Sequence, residues 1–285
     1  MSEIRLLVVP YELGGLRHGV GRGPERLLER GAEEALAGSG ADVRTEVLEL
    51  EEEFDNEIDA SFALIRMLSA EVRESVRDGA FPVVLSGSCF ASVGIVAGLD
   101  EPSPGVVWFD AHGDFNTPET TESGYFDGMG LAVLTGSAWQ GMLATVEGAK
   151  PLPETAAVLA GARDFDDAEI PRLEESAIAH LHPGRLDSAE PLLAAVAGMA
   201  PTPTGIYVHV DLDVLDTDEA RVNIYSAPDG LSAADLEGLV DALVSGVPVR
   251  ALSLTAYDPQ CDVDDRVPPI AMRILERVGE RSAAG

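Results

Sequence analysis

Two segments of this chain place oxygen and imidazole donors two residues apart. Val106-Val107-Trp108-Phe109-Asp110-Ala111-His112-Gly113-Asp114 ends an apolar run in Asp110, His112 and Asp114, and Tyr207-Val208-His209-Val210-Asp211-Leu212-Asp213 ends another in Asp211 and Asp213. Residues i, i+2 and i+4 of an extended strand face the same side, so each set converges on one point. Four carboxylates and one imidazole are too much like charge to sit at buried strand ends without cations. Hard oxygen and borderline nitrogen donors suit Mn²⁺, Fe²⁺, Co²⁺, Ni²⁺ or Zn²⁺. A shared carboxylate pair favours two ions over one, because two ions can activate one water between them. His209, on the same strand face as Asp211, either extends this ligand set or is a satisfied core histidine.

These donors need a scaffold. Apolar strand-like runs recur at Ile4–Pro10, Val43–Leu50, Pro82–Ser86, Val106–Asp110, Ala156–Gly161, Ala177–Leu181, Gly205–Asp211 and Val249–Thr255. Helical patterns lie between most of them, at Phe62–Val76 and in a stripe of Leu236, Leu239, Val240, Leu243 and Val244 behind a Ser232 cap. Regular alternation of this kind implies a mostly parallel sheet covered on both faces. Such sheets carry their sites outside the carboxyl ends of the strands, where Asp110 and Asp211 stand. No repeat, linker or composition break divides the 285 residues, so a single domain over 1–285 is expected.

The formal net charge is −31, and Lys150 is the only lysine among 19 basic residues. That balance excludes nucleic acid and anionic membranes as expected partners, since phosphate surfaces need a basic face. No stretch approaches a membrane span, and Met1-Ser2-Glu3-Ile4-Arg5 lacks a signal-peptide start, so a cytoplasmic protein is expected. Cys89 and Cys261 do not make a disulfide framework.

Taken together, the motifs resemble those of the arginase and agmatinase family, the ureohydrolases. Gly19-Val20-Gly21-Arg22-Gly23-Pro24 is similar to the family's GV-x-x-GP segment, and Asp110-Ala111-His112-Gly113-Asp114 to its DAHxD motif. Asp211-Leu212-Asp213-Val214-Leu215-Asp216 resembles DxDxxD, and Gly161-Ala162-Arg163-Asp164-Phe165-Asp166 resembles G-x-R-D-x-D. Phe115-Asn116-Thr117-Pro118 followed by Ser123-Gly124 is similar to arginases rather than agmatinases.

The resemblance implies a three-layer αβα fold with a doubly wound, mostly parallel eight-stranded sheet, and two divalent metals, Mn²⁺ first. Asp110 and Asp211 would bridge the metals, Asp114 would bind one, and His112 and Asp213 the other. Asp114 would also bond the bridging hydroxide. Asn116 and Ser123 would contact a substrate α-carboxylate, while Asp166 and Glu169 would hold its α-ammonium. Relatives form trimers or hexamers, so a homo-oligomer is expected.

Three positions depart from the pattern. Cys89 stands where the family has its first metal-ligating histidine; it is either a buried small residue or a thiolate ligand that would tilt the site toward Zn²⁺ or Fe²⁺. A similar cysteine, and the run Asp114–Thr121, resemble relatives that hydrolyse Nω-hydroxy-L-arginine. Asp127 replaces the histidine proton shuttle; it is either a shuttle with a raised pKa or a solvated loop residue. Ala256 aligns with the glutamate that grips the guanidinium, unless the alignment slips and Asp258 substitutes. Arg163, Tyr225 and Tyr257 carry no role beyond packing or loop support.

The expected activity is therefore metal-dependent hydrolysis of a guanidino or amidino C–N bond in a small amino-acid-like substrate such as Nω-hydroxyarginine or arginine. Amide or acetyl-amine hydrolysis on the same architecture, or a family member without catalysis, are the alternatives.

Overall fold

The computed structural model describes residues 3–38 and 40–284. Every expected run is a strand: β1 (Glu3–Val9), β2 (Asp42–Val47), β3 (Phe81–Ser86), β4 (Pro104–Phe109), β5 (Ala157–Ala160), β6 (Ala179–Leu181), β7 (Gly205–Asp211) and β8 (Val249–Thr255). They form one eight-stranded sheet in the order β2-β1-β3-β8-β7-β4-β5-β6, with every neighbour parallel. The order is doubly wound: β1–β3 build one half, β4–β6 the other, and β7 and β8 return to fill the middle.

Four helices frame the site's surroundings: α1 (Glu57–Arg77), α2 (Ala91–Leu99), α3 (Ala233–Gly246) and α4 (Val267–Ala284). Asn56 caps α1 by accepting a hydrogen bond from Asp59 N, and Ser232 caps α3 by accepting one from Asp235 N, which satisfies donors a helix start leaves free. The periodicity at Phe62–Val76 marked α1 except for its first residues, where Glu57 and Asp59 make the first turn acidic.

The inner strands are buried on both faces and read as continuous apolar runs, while the edge strands β2 and β6 are partly exposed. Leu7, Val84, Val106, Trp108 and Tyr207 point to one side, against residues of α1 and α2. Leu6, Val83, Val107, Phe109 and Val208 point to the other, against α3 and α4. Every residue of α2 is buried, as a helix that is apolar all round save for Ser92 requires. Among the described residues no helix is long and apolar enough to cross a membrane.

Strands β4 and β7 are neighbours in register, Phe109 opposite Val210. Asp110 and Asp211 therefore leave the sheet side by side at its centre. Cys89 follows β3, one strand beyond β8, and Asp211 sits opposite Thr255 of β8.

Candidate functional site

The site is built from the chain ends of β3, β4, β7 and β8. Asp110, Asp114, Asp211 and Asp213 are all buried, none more than 6% exposed. Asp110 Oδ1 accepts from His112 N at 2.8 Å, and its Oδ2 accepts from Trp108 Nε1 at 2.9 Å. Asp211 Oδ1 accepts from Asp213 N at 2.8 Å, and Asp213 Oδ1 from Ala111 N at 3.2 Å. Each turn folds back on the carboxylate that ends its own strand, and Ala111 N ties the turn after β4 to Asp213 in the turn after β7. Asp114 takes a left-handed backbone, φ +47°, tolerable for aspartate, and its buried Oδ2 has no hydrogen-bond partner.

Burial, with the neighbouring carboxylates behind it, raises the pKa of Asp114 and Asp211 well above the ordinary range and raises that of Asp110. Burial alone would pull His112 down, but Asp213 and Asp110 outweigh it and push the imidazole up to about 10. For Asp213, His112 and Asn223 overcome burial and hold the carboxyl below its usual value. Without metal, His112 is the cation of the cluster.

Two groups of donors lie close enough to share an ion. Cys89, Asp110, His209 and Asp211 form one, and Asp110, His112 and Asp213 the other, each with ligand atoms within 4.8 Å of one another. Asp110 belongs to both. Asp114 stands beside them but in neither group. The donors fit divalent cations: four buried carboxylates, an imidazole, a thiol and two buried orphan atoms, Asp114 Oδ2 and His209 Nε2, converge here.

Cys89 is buried, and its Sγ donates to Asp211 Oδ2 at 2.9 Å and lies 3.3 Å from Thr255 Oγ1. Burial first, then Asp211 and the other carboxylates, raise the thiol well above its ordinary pKa. Asp127 is not a solvated loop residue. It is buried, takes a hydrogen bond from Ser88 Oγ, and accepts from Phe90 N at 2.9 Å and Cys89 N at 3.1 Å, just before α2. Burial raises its pKa to about 6 against those three donors.

Above the donors opens a cavity of about 270 Å³ lined by Asp114, Asp211 and Asp213 and by Asn116, Ser123, Asp166 and Glu169. Asn116 Nδ2 donates to Asp166 Oδ2 at 3.1 Å, which places the two residues expected to read opposite charges side by side. Ser123 is exposed at the rim. Glu169 is buried and accepts from Phe115 N at 2.8 Å, with its pKa raised by burial to about 7. Ala256 lines the cavity with φ +61°. Asp258 does not stand in for the missing glutamate: both its oxygens accept from Arg22 at 3.1 Å, and it is absent from the cavity wall.

The sequence profile of the arginase family matches residues 2–279. The chain belongs to the arginase family. Arginase of Bacillus caldovelox is 27% identical over 291 residues, 96% of this chain and 97% of that one. Nω-Hydroxy-L-arginine amidinohydrolase of Streptomyces lavendulae is 34% identical over 172 residues, 60% of this chain and 58% of that one. The crystal structure of arginase from Bacillus cereus superposes with a TM-score of 0.88 at 26% identity, covering 98% of both chains. This family member is accordingly an amidinohydrolase, with the eight-stranded αβα fold that its motifs implied.

Sequence reading missed Asn223, which is buried and donates from Nδ2 to Asp213 Oδ2 at 3.0 Å and to Ala256 O at 2.9 Å. It lies in a loop with no periodic or motif signal. Arg163 has the loop-supporting role expected of it: its guanidinium donates to the carbonyls of Gly161, Asp213, Val214, Leu215, Ala227 and Pro228. Tyr125 and Tyr225 stack at the cavity mouth, ring centroids 5.3 Å apart.

Proposed function

We propose that this protein hydrolyses the guanidino C–N bond of a small amino-acid-like substrate, with Nω-hydroxyarginine favoured over arginine. The observation that carries this reading is the convergence of the two metal-ligand groups on the floor of a small cavity whose wall holds Asn116 beside Asp166. A bound pair of divalent cations, Mn²⁺ by family resemblance or Zn²⁺ or Fe²⁺ if Cys89 ligates, supplies a hydroxide nucleophile at neutral pH and polarises the substrate. Cys89, Asp110, Asp114, Asp211, His112 and Asp213 are the residues proposed to hold them.

The rest is this chain's own work. Asn116 and Ser123 offer donors to an α-carboxylate; Asn116 keeps a second amide hydrogen for that task after bonding Asp166. Asp166, backed by Glu169, faces an α-ammonium. Asp127 Oδ2, which accepts only the Cys89 N–H, is the atom proposed to carry a proton to the leaving amine. Its pKa of about 6 is suited to exchange near neutrality. Ala256 leaves an uncharged wall where a plain guanidinium would want a bidentate carboxylate, which supports a hydroxylated, less basic guanidine.

The test is turnover by the metal-loaded protein of arginine, Nω-hydroxyarginine, agmatine, guanidinobutyrate, formiminoglutamate and an acetylated amine. The expected result is the highest kcat/KM for Nω-hydroxyarginine. Turnover of the acetylated amine alone, or of none with metals bound, sinks the substrate class.

A further inference from the structure

His209 is held as a ligand is held. It lies on β7 two residues before Asp211, on the same strand face, and is completely buried. Its Nδ1 meets Ser92 Oγ at 3.0 Å, Tyr207 OH at 3.2 Å and Ser253 Oγ at 3.2 Å. These hydroxyls are joined to one another, Tyr207 to Ser92 at 2.9 Å and to Ser253 at 2.6 Å. The ring packs on Trp108 with centroids 3.9 Å apart. One ring nitrogen is thus richly partnered and the ring cannot turn.

The other nitrogen has nothing. Nε2 is buried without a hydrogen-bond partner, and a buried polar atom left unpaired is destabilising. A histidine kept only for core packing would not leave that atom bare while three hydroxyls crowd the other. Yet a ring nitrogen of His209 lies within 4.8 Å of Cys89 Sγ and of oxygens of Asp110 and Asp211, and Nδ1 is the nitrogen facing the hydroxyls. None of the three site groups makes a hydrogen bond to Nε2. Two ligands about 2.0–2.3 Å from a shared ion stand roughly 3.3–4.6 Å apart. A separation of at most 4.8 Å with no direct bond to Nε2 leaves room for a cation between them.

We propose that His209 Nε2 is a metal ligand, completing with Cys89, Asp110 and Asp211 a sulfur- and nitrogen-containing inner site. The hydroxyl cluster is its orienting shell, accepting the Nδ1 proton and fixing the tautomer that leaves Nε2 its lone pair. The outer ion, among Asp110, His112 and Asp213, keeps a ligand set of oxygen and one imidazole. The two positions then differ in softness, so the inner one prefers Zn²⁺ or Fe²⁺ and the outer one accepts Mn²⁺. This rests on the reading that the site binds divalent cations.

X-ray absorption on the full chain loaded with Zn²⁺ alone counts imidazoles at the metal. Two per pair of ions, from His112 and His209, is the expected result; a single imidazole overturns the assignment. In His112→Ala, which changes the half-exposed outer ligand, the remaining Zn²⁺ is expected to keep imidazole and sulfur scattering. His209→Ala in that background is expected to lose the imidazole signal, with circular dichroism reporting the fold. If His112→Ala binds Zn²⁺ without imidazole, His209 is no ligand even though the metal site stands. If wild type binds neither Zn²⁺ nor Mn²⁺, the functional reading fails with it; binding of Mn²⁺ alone overturns only the soft inner site.

Discussion

Cys89 Sγ donates to Asp211 Oδ2 at 2.9 Å, a bond that ties the turn after β3 to the end of β7 across 122 residues of sequence. It holds a protonated thiol against a carboxylate, and only the thiolate binds metal. Metal uptake at this position must expel that proton, so affinity is expected to rise with pH. Cys89→Ser keeps a donor to Asp211 but forfeits the proposed sulfur ligand. Metal analysis after dialysis is expected to show about one of two equivalents lost. Full occupancy in Cys89→Ser makes the sulfur a bystander.

Asp127 supplies the second test. Asp127→Asn preserves volume and lets the amide oxygen accept from the backbone of Cys89 or Phe90, but it cannot carry a proton near neutrality. The expected outcome is a fall in kcat of about 10²–10⁴-fold with metal content unchanged, and loss of the limb near pH 6 in the kcat profile. A variant that keeps that limb assigns the titration elsewhere and removes Asp127 from proton transfer.

The central strands were legible because burial on both faces forces long apolar runs, and the proposed ligands because period two writes itself into the sequence. Asp110, His112 and Asp114 announced themselves; Asn223 did not, since it acts from a loop whose shape is set by packing rather than pattern. Cys89 and Ala256 were readable as departures, but Asp258 could be dismissed only once Arg22, 236 residues away in sequence, was seen to hold it. His209 was ambiguous for a related reason. A strand spacing says that a ring faces the site, while the bare Nε2 and the three hydroxyls on Nδ1 come from three different elements.

The metal-free protein has a pH dependence of calculable sign. Burial raises Asp127 to about 6 and Glu169 to about 7, and raises Asp110, Asp114 and Asp211 as well. Acids with folded pKa values above their unfolded ones stabilise fully below the unfolded values, near 4, and lose that stability as pH rises through the folded ones. His209, lowered by burial to about 3, works in the opposite direction between about 3 and 6.5, but it is one proton against several. In chelator the Tm is therefore expected to fall from pH 5 to pH 8. With Zn²⁺ or Mn²⁺ the trend reverses, because ligand deprotonation strengthens binding. A Tm in chelator that rises across this window contradicts the burial of these acids.

Arg163 tests how the second ligand strand is held. Its guanidinium reaches six carbonyls, two of them on Asp213 and Val214 directly after β7 and two on the loop at Ala227 and Pro228. Gly161, whose φ of +97° is left-handed and whose Cβ would come within 2.5 Å of Val214 Cγ2, lets the chain pass close enough for this contact. Lysine has one compact ammonium and three donors in place of a planar fork of five. In Arg163→Lys several half-buried carbonyls lose their partner, at about 1–3 kcal/mol for each that water cannot reach. The Asp211–Asp213 turn then loosens without any ligand being altered. The expected outcome is a lower Tm and weaker metal binding at the position shared by His112 and Asp213, with the Cys89 position less affected. Metal titration followed by the sulfur-to-cobalt charge-transfer band separates the two positions. Equal weakening at both would show that Arg163 supports the fold at large rather than the carboxylates after β7.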